Sequence, residues 1–375
     1  MKFTIKKDLL LDALTKVSKA ISTKNLIPVL AGIKFELKKK KLILTASDND
    51  ITIQTTIESE NDEDFKIDRE GSIIIQGKYI LEIVRKLRDE YINIEVIDEL
   101  KILIYTENSE FNLNGISETE YPNIGLEESK KKIDIKVGTL KSIVYQTAFA
   151  SSNEESKPVL TGINFNIVGD ILECNSTDSY RLARKIIHLD KSSEENYNIV
   201  IPSHNLLECT RILTNDEELV ELHIFNNKIL FKTGNLKFES RLINGTYPNT
   251  SNLLPENSFL VISTNLLDFY DVIDRVSILT SDKEKNIVTL ETSGNTLILK
   301  SSSVEIGRVE EKMAIQKNND ENIKISFSAK YMMEALKSFS TETVDLHFVG
   351  EIKPILIKSS EDESLTQLVL PIRTY

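Results

Sequence analysis

The chain has 375 residues, 40% apolar and 28% charged, and its 46 basic and 58 acidic residues give a formal net charge of −12. This length and apolar content predict two or three globular domains and exclude a largely disordered protein. The net negative charge excludes a surface coated with DNA-binding charge, although a local basic face remains possible.

The chain carries no predicted export or membrane segment. Acidic residues interrupt the apolar stretch of MKFTIKKDLLLDALTKV at the start, and no small-residue cleavage site follows, so a secretion signal is not expected. No run of about 18 apolar residues occurs, and we expect no transmembrane helix. Cys174 and Cys209 are too few for a disulfide framework, which favours a reduced, cytosolic protein.

In chain order, the apolar spacing predicts two helices separated by short strands, and this order occurs three times. The helical stripes are Leu10, Ala13, Leu14, Val17 and Ile21, then Ile80, Ile83, Val84 and Leu87; Leu140, Ile143, Val144 and Thr147, then Leu206, Cys209, Thr210 and Leu213; and Leu266, Phe269, Tyr270, Ile273 and Val276, then Met332, Ala335, Leu336 and Phe339. Alternating runs such as KLILTAS and ITIQTTI predict strands. The pattern predicts α+β domains in which two helices cover antiparallel sheets.

Internal repeats indicate three copies of one domain. PVLAGIKFEL from Pro28 returns as PVLTGINFNI from Pro158, an offset of 130 residues. A second block recurs at an offset of 126 residues, as SIIIQGKYILEIVRKL, NIVIPSHNLLECTRIL and KISFSAKYMMEALKSF. A repeat of about 125 residues is too long for a solenoid unit. We expect domains at 1–127, 128–254 and 255–375.

The sequence contains one weak resemblance to a phosphate-binding loop and one to a calcium-binding loop. GSIIIQGK from Gly71 has five residues between its glycines, and Tyr79 stands where a magnesium-binding Ser or Thr belongs, so a strand is the favoured interpretation. Asp48 and Asp50 begin like a calcium loop, but the sixth position is Ile53 instead of Gly. A hairpin turn is the favoured interpretation there.

No catalytic or metal-binding constellation is predicted. The four histidines are scattered, neither cysteine belongs to a C-x-x-C motif, and Cys209 lies on an apolar helical stripe. A glutamate recurs in the second helix of each copy, at Glu82, Glu208 and Glu334, where it is interpreted as a solvated helix position. An enzyme with a site in an interdomain cleft stays open, because catalytic groups are assembled by geometry and not by sequence order.

Several blocks resemble one known family over the whole chain. They are MKFTIKKDLLLDAL at the start, PVLTGINF from Pro158, TDSYRLA from Thr177, NGTYPN from Asn244 and LVLPIR from Leu368. Together they resemble the bacterial DNA polymerase III β subunits, the sliding clamps. The sequence departs from the family pattern at Tyr180, where the family usually has His.

The resemblance implies a non-enzymatic processivity factor for DNA replication. Two chains would join head to tail as a homodimer, and six clamp-fold domains would form a ring around double-stranded DNA with the helices lining the hole. The implied partners are the DNA polymerase III alpha-type catalytic subunit, an ATP-driven clamp loader and other proteins with a clamp-binding motif. No cofactor, metal or membrane is implied, and the working place would be the cytoplasm, at the nucleoid during replication. A clamp-like scaffold that binds proteins without encircling DNA is the alternative.

Basic side chains on the predicted helices mark candidate DNA contacts, since phosphate attraction without base recognition suits a sliding protein. The second helix of the first copy carries Lys78, Arg85 and Lys86, and the first helix of the third copy is instead acidic. The family pattern adds Lys24 just before the PVL block. The full set of candidates is Lys24, Lys78, Arg85, Lys86, Lys157 and Arg211.

The resemblance also implies a pocket that receives short partner peptides, formed by the second and third domains. Apolar walls with a few polar groups suit extended peptides with hydrophobic anchors. The residues carried over are Leu160, Thr177, Ser179, Tyr180, Arg181, Leu182, Tyr247, Pro248, Leu253, Ser328, Tyr331, Ile352, Pro354, Leu368, Val369, Leu370, Pro371, Ile372 and Arg373.

Overall fold

The structure is a computed structural model that describes residues 1–21, 27–59, 63–255, 257–280, 286–303 and 305–373. The chain divides into two compact units. The first unit consists of Met1–Gly138 and Glu208–Leu242, and the second unit consists of Thr139–Leu207 and Ile243–Tyr375. Among the described residues, no helix combines the length and the apolar character needed to cross a membrane.

The helices confirm the apolar spacing found in the sequence. Their bounds are α1 Lys7–Val17, α2 Gly77–Lys86, α3 Val137–Thr147, α4 Ser203–Ile212, α5 Leu266–Ser277 and α6 Ala329–Lys337. Each helix begins directly after a strand. On α1 the predicted stripe from Leu10 to Val17 is buried, and on α6 Met332 and Leu336 are fully buried. Each repeat therefore contributes two helices, each with an apolar face turned away from solvent.

Twenty-six strands are found in the described part of the chain, and every strand pair there is antiparallel, as predicted. In the first copy they are β1 Lys2–Lys6, β2 Gly32–Lys38, β3 Lys41–Ser47, β4 Ile51–Glu58, β5 Phe65–Arg69, β6 Gly71–Gln76, β7 Tyr91–Asp98, β8 Lys101–Tyr105 and β9 Glu110–Asn114. In the second copy they are β10 Ile133–Lys136, β11 Gly162–Val168, β12 Ile171–Thr177, β13 Arg181–His188, β14 Tyr197–Pro202, β15 Leu219–Ile224, β16 Lys228–Thr233 and β17 Leu236–Arg241. In the third copy they are β18 Leu260–Asn265, β19 Ile287–Ser293, β20 Thr296–Ser303, β21 Gly307–Ala314, β22 Gln316–Lys317, β23 Lys324–Ser328, β24 Thr343–Phe348, β25 Ile355–Lys358 and β26 Leu365–Val369.

Each unit contains two sheets. The first unit has a five-stranded sheet, in the order β5-β1-β7-β8-β9, and an eight-stranded sheet, in the order β10-β15-β16-β17-β4-β3-β2-β6. The second unit has a nine-stranded sheet, in the order β14-β11-β12-β13-β26-β25-β24-β18-β22, and a four-stranded sheet, in the order β21-β20-β19-β23. The larger sheet of each unit therefore runs through two consecutive repeats.

One strand pair in each unit joins two repeats. In the first unit β4 pairs with β17, with Ile51 opposite Ser240. In the second unit β13 pairs with β26, with Arg181 opposite Val369. Because Arg181 follows Ile51 by the repeat offset of 130 residues, the two pairs occupy matching places. We call them the first junction and the second junction.

Fully buried aromatic side chains mark the cores. Phe3 and Phe65 meet edge to face in the first unit, with ring centroids 5.9 Å apart, and Phe269, Phe327 and Phe348 are fully buried in the second unit. Burial of one such ring stabilises the folded state by about 2–3 kcal/mol. The cores therefore hold the helices against the sheets.

Both doubtful motifs of the first repeat form ordinary structure. Gly71–Gln76 is strand β6, and α2 follows it directly, so the strand interpretation is confirmed. At the β3–β4 turn the Asp48 carboxylate accepts hydrogen bonds from the backbone N–H groups of Asp50 (3.0 Å) and Ile51 (2.9 Å). This closes the predicted hairpin turn, since an Asp side chain often bonds to the backbone two residues on.

Candidate functional site

A cleft of about 630 Å³ lies in the second unit, beside the turn between β12 and β13. We call it the Tyr180 cleft. Its lining residues are Tyr180, Asn286, Ser328, Lys330, Tyr331, Leu370, Pro371, Ile372 and Arg373. The segment 370–373 is held in place by backbone hydrogen bonds, since Leu370 N–H donates to Tyr180 O (2.9 Å) and Ile372 N–H donates to Ser326 O (2.7 Å).

The β12–β13 turn has a fixed backbone. The Asp178 carboxylate accepts hydrogen bonds from Tyr180 N–H (2.9 Å) and Arg181 N–H (3.0 Å), and Ser179 has a φ of 78°. Thr177 N–H donates to the Tyr247 phenol oxygen at 3.0 Å. Burial raises the pKa of that Tyr247 phenol, so it stays neutral. The turn therefore fixes the backbone position of Tyr180, and 60% of the surface of this residue is exposed.

Arg181 is the central charged group beside the cleft. Its side chain is only 9% exposed, and it donates from Nε to Asp178 Oδ2 (3.0 Å), from Nη1 to Glu334 Oε2 and from Nη2 to Phe149 O (2.5 Å). The guanidinium carbon also lies 4.6 Å from the Tyr331 ring centroid. A buried cation needs such partners, because removal from water penalises an unpaired charge.

Two tyrosines form an aromatic wall of the Tyr180 cleft. The rings of Tyr180 and Tyr331 stack with centroids 6.3 Å apart and planes 22° apart. Burial, and then the negative charge of Asp178, raise the pKa of the Tyr331 phenol. The Tyr331 phenol is therefore neutral at physiological pH, and the two rings offer a flat apolar surface with a phenol group at its edge.

An apolar cluster adjoins this wall. Leu182, Leu356 and Leu368 are buried together, and Leu254 and Leu370 pack against them while keeping some surface exposed. We call these five residues the Leu182 cluster. Leu370 belongs both to this cluster and to the lining of the Tyr180 cleft, so the apolar surface is continuous between them.

The structure brings many of the predicted pocket residues together and places the others nearby or elsewhere in the second unit. Leu160 and Tyr247 belong to a separate buried cluster with Val200. Val369 lies in the core of the third repeat with no exposed surface. The remaining predicted residues are Pro248, Leu253 and Ile352, which are exposed, and Pro354, which is half-buried.

Sequence reasoning missed several residues of this region. Asn286 and Lys330 line the cleft, and Leu254 and Leu356 complete the cluster. The solvated interpretation of the recurring glutamates is wrong for Glu208, whereas the side chains of Glu82 and Glu334 remain 41% and 35% exposed. Glu208 is buried beside Arg211, and Glu334 binds Arg181. The signal available for Glu334 was its recurrence at one point in all three repeats.

A second cleft, of about 290 Å³, lies at the matching place in the first unit. We call it the Asp50 cleft, and its lining residues are Leu30, Ser47, Asn49, Asp50, Thr52, Pro122, Asn123, Ile124, Gly125, Asn227, Lys228, Glu239 and Arg241. Asn49 has a φ of 82°, close to that of Ser179. Arg241 N–H donates to Asp50 O at 2.9 Å, as Leu370 N–H does to Tyr180 O. The backbone is thus repeated, whereas the lining is polar.

The predicted DNA contacts are exposed wherever the structure describes them. Lys24 lies outside the described residues. Lys78, Arg85, Lys86, Lys157 and Arg211 are exposed. Arg85 and Lys86 share the Glu82 carboxylate, and Arg211 binds Glu208, while Lys78 and Lys157 form no ion pair within the described part of the chain.

Glu128, Glu221 and His223 are close enough together to hold a metal ion. The lysines around them already neutralise the carboxylates. Hydrogen bonds from Lys232 and Lys237 lower the pKa of Glu128 to about 2, and Lys132 binds Glu221. These contacts instead attach the segment after Gly125 to the eight-stranded sheet.

Comparison with known proteins gives matches over the full length. Models of the N-terminal, central and C-terminal domains of the DNA polymerase III beta subunit match residues 1–125, 134–249 and 251–373. A Beta sliding clamp of Staphylococcus epidermidis is 39% identical over 377 residues, covering all of both chains. The solved DNA polymerase sliding clamp of Bacillus subtilis (39% identity, TM-score 0.96) and the DNA polymerase III beta chain of Streptococcus pneumoniae (32% identity, TM-score 0.94) also match over all of both chains.

Proposed function

The chain belongs to the DNA polymerase III beta subunit family, the bacterial sliding clamps, and we propose that two copies close head to tail into a ring around double-stranded DNA. As a family member it is a non-catalytic processivity factor of DNA replication, an accessory subunit of the DNA polymerase III holoenzyme. The observation that carries this conclusion is the full-length match to sliding clamps in both sequence and fold. The same match does not favour a scaffold that leaves DNA unencircled.

The proposed ring contains six domains, three from each chain, with boundaries at 1–127, 128–254 and 255–375. The internal repeats and the three matched family domains support these boundaries. The first domain of one chain would contact the third domain of the other. A head-to-tail contact closes into a ring when its rotation permits. Strands β9 and β21 support this pairing, since each is the last strand of its sheet in the described residues and presents unpaired backbone groups.

Enclosure explains how an acidic protein acts on DNA. A ring holds its track without gripping it, so weak contacts to phosphates suffice and base contacts would hinder sliding. The proposed contacts are Lys24, Lys78, Arg85, Lys86, Lys157 and Arg211. Glutamates next to Arg85, Lys86 and Arg211 reduce their net attraction for phosphate, which suits a loose hold.

We propose that the Tyr180 cleft and the Leu182 cluster receive short peptides from partner proteins. The partners are the alpha-type catalytic subunit of DNA polymerase III, the clamp loader and other proteins with a clamp-binding motif, which meet the ring in the cytoplasm, at the nucleoid during replication. Continuous apolar surface with a half-exposed aromatic wall supports this role, because such surfaces anchor hydrophobic side chains of extended peptides.

A plasmid assay tests enclosure. After loading by a clamp loader, the protein should remain on circular plasmid and leave once the plasmid is cut; equal retention on both forms would refute the ring. Sedimentation should give twice the chain mass of 42.6 kDa. Reversing charge with Arg85→Glu and Lys86→Glu should weaken DNA association and its dependence on salt, whereas a scaffold that does not bind DNA would show no change.

A further inference from the structure

Glu334 has partners unlike those of its counterparts in the other repeats. Glu82 binds Arg85 and Lys86 of its own helix, and Glu208 binds Arg211 of its own helix. Glu334 binds a residue 153 positions earlier in the chain, Arg181. In the third repeat, the ion pair of this glutamate therefore crosses the second junction and does not stay within one helix.

Glu334 and Tyr331 grip the same guanidinium from one face of α6. They are three residues apart, and side chains at that spacing lie on one side of a helix. Glu334 accepts from Arg181 Nη1, while the Tyr331 ring centroid lies 4.6 Å from the guanidinium carbon. Asp178 and the Phe149 carbonyl accept from the other two nitrogens. Three acceptors fix the orientation of the planar group, because its donors have a rigid geometry.

The orientation of the Arg181 guanidinium also affects the cleft wall. Tyr331 lines the Tyr180 cleft and stacks on Tyr180. We propose that Glu334 is a positioning residue for partner binding, acting through Arg181 to fix the Tyr331 ring against which a partner peptide packs. This inference rests on the proposed function of the cleft.

The expected consequence is a loss of preorganisation. A wall that is already ordered need not be ordered by the peptide, and preorganisation of this kind strengthens binding mainly by slowing dissociation. Glu334→Gln leaves the ion pair between Arg181 and Asp178 in place, so the variant should fold. We expect about tenfold weaker peptide binding, carried mainly by faster dissociation.

The experiment uses the full-length chain and a fluorescein-labelled peptide carrying the clamp-binding segment of the organism's own replicative polymerase. Anisotropy gives the Kd, and stopped-flow competition gives the dissociation rate. Glu82→Gln is the matched control, because it removes the same carboxylate at the same repeat position in the first unit. The single variant Tyr331→Leu and the double variant Glu334→Gln with Tyr331→Leu complete a double-mutant cycle. The cycle shows whether Glu334 affects peptide binding through Tyr331 or through a general weakening of the fold.

We expect Glu334→Gln to weaken the peptide about tenfold in the wild-type background and to have no further effect once Tyr331 is replaced, with Glu82→Gln unchanged. Unchanged affinity in Glu334→Gln, or an equal loss in the Tyr331→Leu background, would overturn the inference and leave the cleft's function standing. A wild-type chain that fails to bind the peptide would overturn both.

Discussion

The two junctions share a backbone but differ in chemistry. Each has a turn closed by an Asp side chain, a residue with positive φ and a strand pair that joins two repeats. In strand register Thr52 matches Leu182, Glu239 matches Leu368, and Arg241 matches Leu370. At these three positions the first junction is polar and the second is apolar, whereas at the matched pair Ile51 and Arg181 the order is reversed.

The segments beside the two junctions show the same contrast. After the first junction's cleft, Lys228 donates to Gly125 O, and Glu128 binds Lys232 and Lys237. At the second, Leu254 packs into the Leu182 cluster. Polar groups at the first junction largely satisfy one another, whereas the second leaves apolar surface exposed. The two junctions therefore share a backbone arrangement, and of the two the second carries the apolar surface that suits hydrophobic peptides.

Among substitutions that place the residue of one junction at the matching position of the other, we expect the largest loss of stability at Leu368. Leu368→Glu places a carboxylate among buried leucines, and we expect a loss of about 4 kcal/mol in the free energy of unfolding. Glu239→Leu at the matching position removes one partly exposed ion pair with Lys228 and should change stability by about 1 kcal/mol or less. Urea titration followed by circular dichroism measures both; equal losses would contradict the contrast.

The charged centre of the second junction should be nearly as sensitive. Arg181→Met leaves Asp178 and Glu334 without their shared cation, and we expect about 3 kcal/mol of destabilisation. Ile51→Met, at the matching place in the first junction, exchanges one buried apolar side chain for another and should lose less than about 1.5 kcal/mol. The same titration compares the pair, and a milder effect of Arg181→Met would show that the ion network is dispensable.

Substitutions at matched positions of the two clefts should differ in their effect on peptide affinity, with little change in stability. Leu370 is half-buried, and Leu370→Arg introduces the residue found at the matching position of the Asp50 cleft. We expect peptide affinity to fall about 30-fold, the value for losing roughly 2 kcal/mol of apolar contact. Arg241→Leu should leave affinity unchanged. Anisotropy with the labelled peptide measures the affinity of both variants. If only Arg241→Leu lost affinity, the peptide would bind at the first junction, contrary to the proposal.

Acid should weaken the first junction by a small amount. The pKa of Glu128 is lowered to about 2 by Lys232 and Lys237, so its stabilisation is present above the ordinary carboxyl pKa and is lost as pH falls from about 4.5 towards 2. Because Glu128 is partly exposed, solvent screening limits the contribution to about 1 kcal/mol or less. Between pH 4.5 and 2 the free energy of unfolding should fall less in Glu128→Gln than in the wild type, whereas Glu154→Gln, an exposed control, should behave as the wild type does. Identical acid curves for the wild type and Glu128→Gln would show that the ion pairs of Glu128 do not stabilise the fold.

The sequence predicted much of this architecture because the apolar spacing of each helix and strand lies within a short stretch of the chain. KLILTAS became strand β3 and ITIQTTI became most of β4, and the stripe of α1 is buried as expected. What remained hidden depends on pairing between repeats. Periodicity within α6 shows that Glu334 lies off the apolar face, but it does not show that Arg181 arrives beside it.

The same limit applies to the candidate site. The family pattern led to Tyr180, Tyr331 and the segment from Leu370 to Arg373, which line one cleft. Asn286 and Lys330 were missed because no local signal distinguishes a cleft-lining polar residue from a solvated one. The polarity of the Asp50 cleft was open to sequence comparison, but only strand register reveals which residues to compare.

The most direct measurement is a photo-cross-linking map of the labelled polymerase peptide on the full-length protein. A peptide with a photoreactive group at each position in turn should cross-link to residues of the Tyr180 cleft and the Leu182 cluster, with one peptide bound per chain. Cross-links concentrated at the Asp50 cleft, or shared equally between the two clefts, would contradict the proposal that partner peptides bind at the second junction and not at the first.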